Sequence, residues 1–173
     1  MSKNKSEAGM DNQKKAVYFG NYHTNFKQKA TFMHKITLTE FSNRIALEMG
    51  LRIIERAQEC NQKIAVEVSR LNHSVFLYVD DSLPAEKLHW LKCKANLARL
   101  FEQSSLQCRL DCEARGQTLQ QCFGLENEEY ALKGGAIPIF VDQVGLVGTV
   151  AVSGMGDVED HQMIVDALSE VFA

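Results

Sequence analysis

The sequence contains no long hydrophobic run, and none of its apolar stretches approaches the roughly 20 residues that a membrane helix needs. No membrane span is therefore predicted. The N-terminus also lacks the apolar core of a signal peptide, which predicts a cytoplasmic protein. The five cysteines are odd in number and form no Cys-x-x-Cys pair. Reduced thiols are accordingly favoured over a disulfide framework, although Cys108 and Cys112 share one face of a predicted helix.

The usual catalytic and metal-binding patterns are also missing. There is no Ser-His-Asp order, no His-Glu-x-x-His and no paired-carboxylate arrangement, and the five histidines are widely scattered. No Gly-Lys-Ser/Thr follows a glycine-rich loop, so a phosphate-binding loop of the Walker type is excluded. These absences disfavour a hydrolase or a metalloenzyme, and no metal site is predicted.

Positive charge is scarce outside the N-terminus. The first 35 residues contain seven lysines and only two acidic residues, so they carry +5, whereas the remainder carries −8. An acidic body argues against nucleic-acid binding. We predict a flexible basic leader at residues 1–35 and a single domain at residues 36–173; an alternative is that the leader binds an anionic surface or a client protein.

Hydrophobic periodicity predicts the order helix, strand, strand, helices, strand, strand, helix. The first helix is expected to begin at Thr39 with Thr37 or Thr39 as its cap. A short helix is expected at Leu119–Phe123, and a further short strand within 117–135. Two hairpins separated by helices indicate an α+β fold, with a profilin-like or PAS-like antiparallel sheet and helices packed on both faces. The predicted strands are 64–68, 75–79, 136–141 and 145–153, and the last helix spans about 158–172.

Two glycine-containing turns near the C-terminus are candidate binding elements. Gly134 and Gly135 permit positive φ and a close backbone approach, which suits either an anion-binding nest or simply a tight turn before a strand. Ser153 and Gly154 precede a helix whose first-turn amides attract an anion, or are capped by acidic side chains. Asp160 with His161 is the best local acid–base pair, and His161 is a candidate iron ligand.

A third candidate lies on the helix that begins near Pro84. Helical spacing places Trp90 and Lys94 on one face and Lys92 and Asn96 on another. Lysines beside an indole ring suit a carboxylate or phosphate ligand. The alternative is a core tryptophan on an otherwise solvated helix.

These blocks together resemble the GlcG/HbpS-like "haem-degrading domain" superfamily. Within it, they resemble an uncharacterised subfamily with Trp-x-x-x-Lys-x-Asn before a Ser-Ser pair. The likeness extends over about residues 36–173. The residues that carry it are Trp90, Leu91, Lys94, Asn96, Ser104, Ser105, Gly134, Gly135, Pro138, Ile139, Gly145, Gly148, Thr149, Val150, Val152, Ser153, Gly154, Asp160 and His161.

The resemblance implies a profilin-like domain that forms homo-oligomers, and some superfamily members bind haem. We therefore expect a small-ligand-binding protein, with haem or another tetrapyrrole as the candidate ligand. The alternatives are a structural or chaperone-linked interaction protein and a haem-modifying enzyme. The expected ligand-binding residues are Trp90, Lys92, Lys94, Asn96, Gly134, Gly135, Ser153, Gly154, Asp160 and His161.

Overall fold

Strands and helices occupy most of residues 34–172, the part of the chain that this computed structural model describes. Residues 1–33, nearly all of the predicted leader, lie outside that range. The strands are β1 (Ile36–Leu38), β2 (Ala65–Arg70), β3 (Ser74–Val79), β4 (Ala136–Val141) and β5 (Gly145–Ser153). The helices are α1 (Asn43–Glu59), α2 (Glu86–Phe101), α3 (Ser105–Ala114), α4 (Leu119–Phe123) and α5 (Asp157–Phe172).

The five strands form one sheet in the order β1-β4-β5-β2-β3. Every pairing is antiparallel except that of β1, which runs parallel to β4. The additional strand is thus β1, and the prediction of a strand within 117–135 was wrong. The segment does contain the predicted helix at Leu119–Phe123, which is α4. The side chain of Thr118 caps this helix, and the Gln121 side chain bonds back to the Thr118 amide.

The predicted start of the first helix was also wrong. Thr37 belongs to β1, where it pairs with Phe140, and the helix begins only at Asn43. Its cap is Ser42, whose hydroxyl accepts a hydrogen bond from the Ile45 amide at 3.2 Å. A threonine next to isoleucine and leucine suits a strand, and an available edge of β4 decides between the two possibilities.

One face of the sheet is covered by α1 and α5. Alternate branched residues of the central strands point towards these helices, as the period of two in a strand requires. Val66, Ile137 and Val152 are fully buried in the resulting cluster, together with Ile53 of α1 and Ile164 of α5. This cluster is the main hydrophobic core.

The opposite face is covered by α2, with α3 packed beside it. The strand residues that meet α2 are small: Ala65, Ala136 and Ala151 are buried against Leu91 and Ala95 of the helix. Small side chains on both partners let the helix axis lie close to the sheet. The predicted α+β fold with helices on both faces of the sheet is confirmed, and no helix within residues 34–172 combines the length and apolar character needed to cross a membrane.

Candidate functional site

A buried ion pair lies where α2 passes the adjoining ends of β4 and β5. Lys94 projects from α2, and its Nζ lies 2.8 Å from Oδ2 of Asp160, in the first turn of α5. Nζ also donates a hydrogen bond to the carbonyl of Val152 at 2.5 Å. Oδ1 of Asp160 accepts a hydrogen bond from the Met155 amide at 2.9 Å. The lysine therefore joins α2, β5 and α5 through a single ammonium group.

Burial governs the titration of this pair. The exposed fraction of the side chain is 2% for Lys94 and 3% for Asp160. Desolvation lowers the pKa of Lys94 and raises the pKa of Asp160, and in each case the partner's charge opposes the shift. The short contact and the two further hydrogen bonds favour the ionised pair, since each charge is met by an oppositely polarised group.

The two predicted glycines form part of the wall around this pair. Gly135 has φ of 107°, which glycine adopts without a steric penalty. A Cβ at this position would lie 2.7 Å from Cβ of Asp160 and 2.8 Å from Nζ of Lys94. A Cβ on Gly134 would collide with the Asp157 carbonyl. The glycine pair thus allows β4, α5 and the lysine to approach each other closely.

Two other predicted residues, Trp90 and Asn96, contact a different segment. The Asn96 amide donates to the carbonyl of Glu129 at 3.0 Å and accepts from Arg99 at 2.8 Å. The ammonium of Lys133 lies 4.7 Å from the centre of the Trp90 ring. Trp90 and Asn96 therefore hold the segment 126–133 against α2. Lys92 is exposed on the same helix.

Ser153 and Gly154 complete the end of β5. Ser153 is buried and pairs with Ala65 of β2. A Cβ on Gly154 would collide with the carbonyl of Lys63, so this glycine lets β5 continue closely past the start of β2. Both residues precede Asp160 by less than two helical turns' worth of sequence, at the end of β5 and in the connection that follows it.

His161 is buried immediately after Asp160. Its exposed fraction is 3%, and neither ring nitrogen has a hydrogen-bond partner within residues 34–172. Burial, and secondarily the nearby His34, lowers the pKa of His161 from 6.5 to about 4. The imidazole is therefore neutral at pH 7. A buried polar group without a partner is uncommon and calls for an explanation.

The structure thus brings together Lys94, Gly134, Gly135 and Asp160, with Ser153, Gly154 and His161 at their margin, and separates Trp90, Lys92 and Asn96 from them. Sequence reasoning missed the backbone partners of the pair, Val152 and Met155. A signal for the burial of Lys94 was present, since it lies one turn from Leu91, Ala98 and Leu97 on the apolar face of α2.

Two observations limit the kinds of site that the described residues offer. No group of three or more histidine, cysteine, aspartate or glutamate side chains in residues 34–172 is arranged to hold a metal ion. A cavity of about 270 Å³ lies between the end of α1 and β3, lined in part by Ile54, Tyr78 and Asp80. None of the predicted site residues lines this cavity.

Comparison with known proteins decides the family. The protein-family model described as "Haem degrading protein HbpS-like" matches residues 41–169 of the sequence. The chain belongs to the HbpS-like family. The resemblance drawn from the blocks at Trp90–Asn96 and Gly134–His161 is thereby confirmed.

Relatives of this HbpS-like chain include a UPF0303 protein of Zymomonas mobilis, which is 34% identical over 134 residues, or 78% of this chain and 72% of the relative. Among solved structures, the Ybr137w protein has a TM-score of 0.72 and 26% identity, with coverage of 79% and 80% of the two chains. PduOC, solved as a complex with haem, has a TM-score of 0.65 and 16% identity, with coverage of 76% and 94%. The latter likeness shows a shared fold.

Proposed function

We propose that this HbpS-like chain is a small-ligand-binding protein for haem or a related tetrapyrrole, with His161 as the iron ligand. The observation that carries the proposal is the buried imidazole, since both of its nitrogens lack a hydrogen-bond partner within the described residues. Family membership supports it. So does the fold shared with PduOC, a protein solved with haem.

The chemistry of His161 suits an iron ligand. A histidine binds iron through the lone pair of a neutral ring, and the pKa of about 4 keeps this ring neutral at physiological pH. Bound haem iron supplies redox and small-ligand chemistry that no side chain of the protein has. The part played by the protein is to hold the iron through the imidazole and to keep water away from it.

The two lysines that were predicted to contact the ligand, Lys92 and Lys94, do not both lie where a ligand could reach them. Lys94 was expected to meet a carboxylate of the ligand, but the carboxylate beside it is that of Asp160. Of the two predicted lysines, Lys92 is the one exposed to solvent. We therefore assign Lys94 to the support of the turn that precedes His161, and we assign no ligand contact to Lys92, which lies apart from His161.

Access to His161 requires a local rearrangement. Because the exposed fraction of the side chain is only 3%, iron cannot reach the ring unless the first turn of α5 or its surroundings open. We expect hemin binding to be slow relative to diffusion, with a rate limited by this opening. Slow binding of a saturating ligand would distinguish the site from nonspecific adsorption of hemin to the surface.

A hemin titration of the purified, reduced chain tests the proposal. We expect a saturable, red-shifted Soret band at one hemin per protomer, and its loss or displacement in His161→Ala. The matched control is His73→Ala, because His73 is exposed in the hairpin between β2 and β3 and its ring contacts the exposed side chain of Asn72. Its spectrum should equal that of the wild type.

Two results would contradict the proposal. A featureless hemin titration of the wild-type protein would rule out tetrapyrrole binding. If the solution mass then showed a stable oligomer, the result would favour the interaction-protein alternative. An unchanged Soret band in a folded His161→Ala protein would place the iron ligand elsewhere. Circular dichroism and the solution mass of each variant establish that it is folded before the spectra are compared.

A further inference from the structure

Strand β3 forms an apolar edge of the sheet. It stands last in the strand order and pairs with β2 alone among residues 34–172. Its sequence, Ser-Val-Phe-Leu-Tyr-Val, contains no charged residue and no proline. Natural proteins usually protect an edge with charged side chains, proline or a covering element, because its free backbone groups otherwise pair with another strand. β3 is thus an edge that a further strand would complete.

Exposed leucines surround this edge. In the described part of the chain, four of them lie on β3, on the turn before it or on the helix that covers it: Leu47, Leu51, Leu71 and Leu77. Helix α1 runs over β3, where a Cβ on Gly50 would collide with the Phe76 ring. Leu47 and Leu51 of this helix are one turn apart and 45% and 40% exposed. Helix and strand together present an apolar surface of the kind that marks an interaction site.

The backbone of β3 shows which of its residues can pair outwards. The Asp80 amide donates a hydrogen bond to the carbonyl of Ile64 at 3.1 Å, so Asp80 directs its backbone groups towards β2. In an antiparallel pair, residues bonded to the neighbouring strand alternate with residues that face away from it. The register of β2 and β3 is regular from Val79 back to Phe76. Leu77 therefore directs its N–H and C=O groups towards the free edge.

We propose that β3 pairs with β3 of a second copy of this chain, antiparallel and about a two-fold axis at Leu77. Because side chains alternate between the faces of a sheet, Leu77 must meet a residue an even number of positions away, and Leu77 of the second copy meets this condition. The two residues exchange both of their backbone hydrogen bonds. Phe76 then lies opposite Tyr78 of the second copy, on the face that α1 covers. The two sheets become one sheet of ten strands.

The same axis suits the helix above the strand. Gly50 lies over Phe76, next to the axis, and Gly50 stands between Leu47 and Leu51 on α1. The two copies of α1 therefore run antiparallel at this level, so Leu47 of each copy meets Leu51 of the other. A two-fold interface needs a surface that is complementary to its own rotated copy, and a single axis provides this for both elements.

The polar residues at the two ends of β3 also favour a second copy. His73 precedes the strand and Asp81 follows it, and both are exposed. Antiparallel pairing at Leu77 places His73 of each copy opposite Asp81 of the other, so a nitrogen donor faces a carboxylate at both ends. A parallel pairing would instead bring the aspartates of the two copies together, which is unfavourable. The proposal uses no residue of the His161 site, so it stands whether or not the chain binds haem.

The solution mass and hydrogen exchange of the full chain test the proposal. Leu77→Lys should lower the mass at least two-fold, because two ammonium groups would lie directly opposite each other. The amides of β3 should exchange faster in this variant than in the wild type. The matched control is Leu100→Lys, since Leu100 is exposed to nearly the same fraction, 50% against 49%, but lies on α2. Circular dichroism establishes that both variants are folded.

Leu77→Cys tests the register independently. Opposite residues of a hydrogen-bonded antiparallel pair have Cα atoms about 5.5 Å apart, a separation that a disulfide spans. The variant is made together with Cys60→Ser, which removes the exposed native thiol. Treatment with diamide should then link two copies through residue 77, as peptide mapping without reductant shows. Leu100→Cys in the same background should stay unlinked.

Several outcomes would overturn the proposal. One is a wild-type protein with the mass of a single chain, and another is a folded Leu77→Lys variant that keeps the wild-type mass. An absent link at residue 77 would refute the pairing of Leu77 with itself. The last is a chain lacking residues 1–33 whose β3 amides exchange faster at an unchanged mass, which would show that the leader covers the edge.

Discussion

At the scale of single residues, Lys94 is the most consequential side chain in the described part of the molecule. An ammonium group in the core is costly unless it is paired and fully hydrogen-bonded. Here it meets a carboxylate and a main-chain carbonyl, and the carboxylate in turn accepts a main-chain amide. The arrangement is therefore sensitive to the loss of either partner but much less so to the loss of both.

Lys94→Met should destabilise the fold strongly, because it leaves the Asp160 carboxylate buried beside an apolar chain. We expect a loss of about 3 to 5 kcal/mol in the free energy of unfolding, measured by urea denaturation. The control is Lys92→Met on the same helix, where an exposed side chain should change the value by less than about 0.5 kcal/mol. The double variant Lys94→Met, Asp160→Leu should recover part of the loss. Equal free energies of unfolding for Lys94→Met and Lys92→Met would show that the Lys94–Asp160 ion pair contributes nothing to stability.

His161 should make stability depend on pH. The pKa of His161 is about 4 in the folded protein, below the ordinary value of 6.5 expected in the unfolded chain, so between these two pH values the unfolded chain binds more protons than the folded one. The contribution of the neutral His161 ring to the free energy of unfolding is therefore fully present above about pH 6.5 and is lost as the pH decreases towards 4. This contribution is on the order of 3 kcal/mol.

His161→Leu isolates this contribution from the other titrating groups. We expect the wild type to lose stability more steeply than His161→Leu when urea midpoints are compared at pH 7, 5.5 and 4. His73→Ala serves again as the control and should follow the wild-type curve. Parallel curves for wild type and His161→Leu would show that the imidazole is not desolvated.

At the scale of elements, the turn before β4 decides how closely α2, α5 and the sheet approach each other. Gly135→Val introduces a branched side chain at φ of 107°, directly against Lys94 and Asp160. We expect loss of more than about 3 kcal/mol in the free energy of unfolding, or failure to fold, through steric overlap combined with backbone strain.

Gly124→Ala provides the comparison for this prediction. Its φ is 70°, and a Cβ there would contact nothing within 4 Å, so only the left-handed backbone opposes the substitution. A loss of about 1 to 2 kcal/mol is expected. Similar losses for both variants would mean that the close packing around the ion pair is unimportant; wild-type behaviour of Gly135→Val would refute the special role of the turn.

At the scale of the whole molecule, two helical layers enclose a mixed sheet, and that architecture agrees with the HbpS-like family. Homo-oligomerisation and the roles of the basic leader stay predictions. The same holds for the division at residues 35 and 36, although β1 does begin at Ile36. Homo-oligomerisation and the role of the leader are tested by the solution mass recorded with the hemin titration. This mass is compared between the full chain and a chain lacking residues 1–33.

The sequence by itself determined most of the local elements and the family. Alternation of branched residues identifies β2, β4 and β5, and the i, i+4 spacing identifies α1, α2 and α5, because both patterns depend on neighbours along the chain. Capping residues such as Ser42 and Thr118 likewise act locally. The blocks at Trp90–Asn96 and Gly134–His161 were sufficient to recognise the family, since separated motifs occur in the right order.

Only the tertiary structure decided which distant residues and strands contact each other within the chain. Lys94 and Asp160 are 66 residues apart, and no periodicity indicates that a lysine and an aspartate will meet inside the core. The parallel pairing of β1 depends on the free edge of β4, where Ile36 pairs with Ile139, 103 residues further along the chain. The lack of a hydrogen-bond partner for the His161 ring within residues 34–172 depends on every group that surrounds it. Each of these features arises from long-range contacts, whose free energies a local pattern does not record.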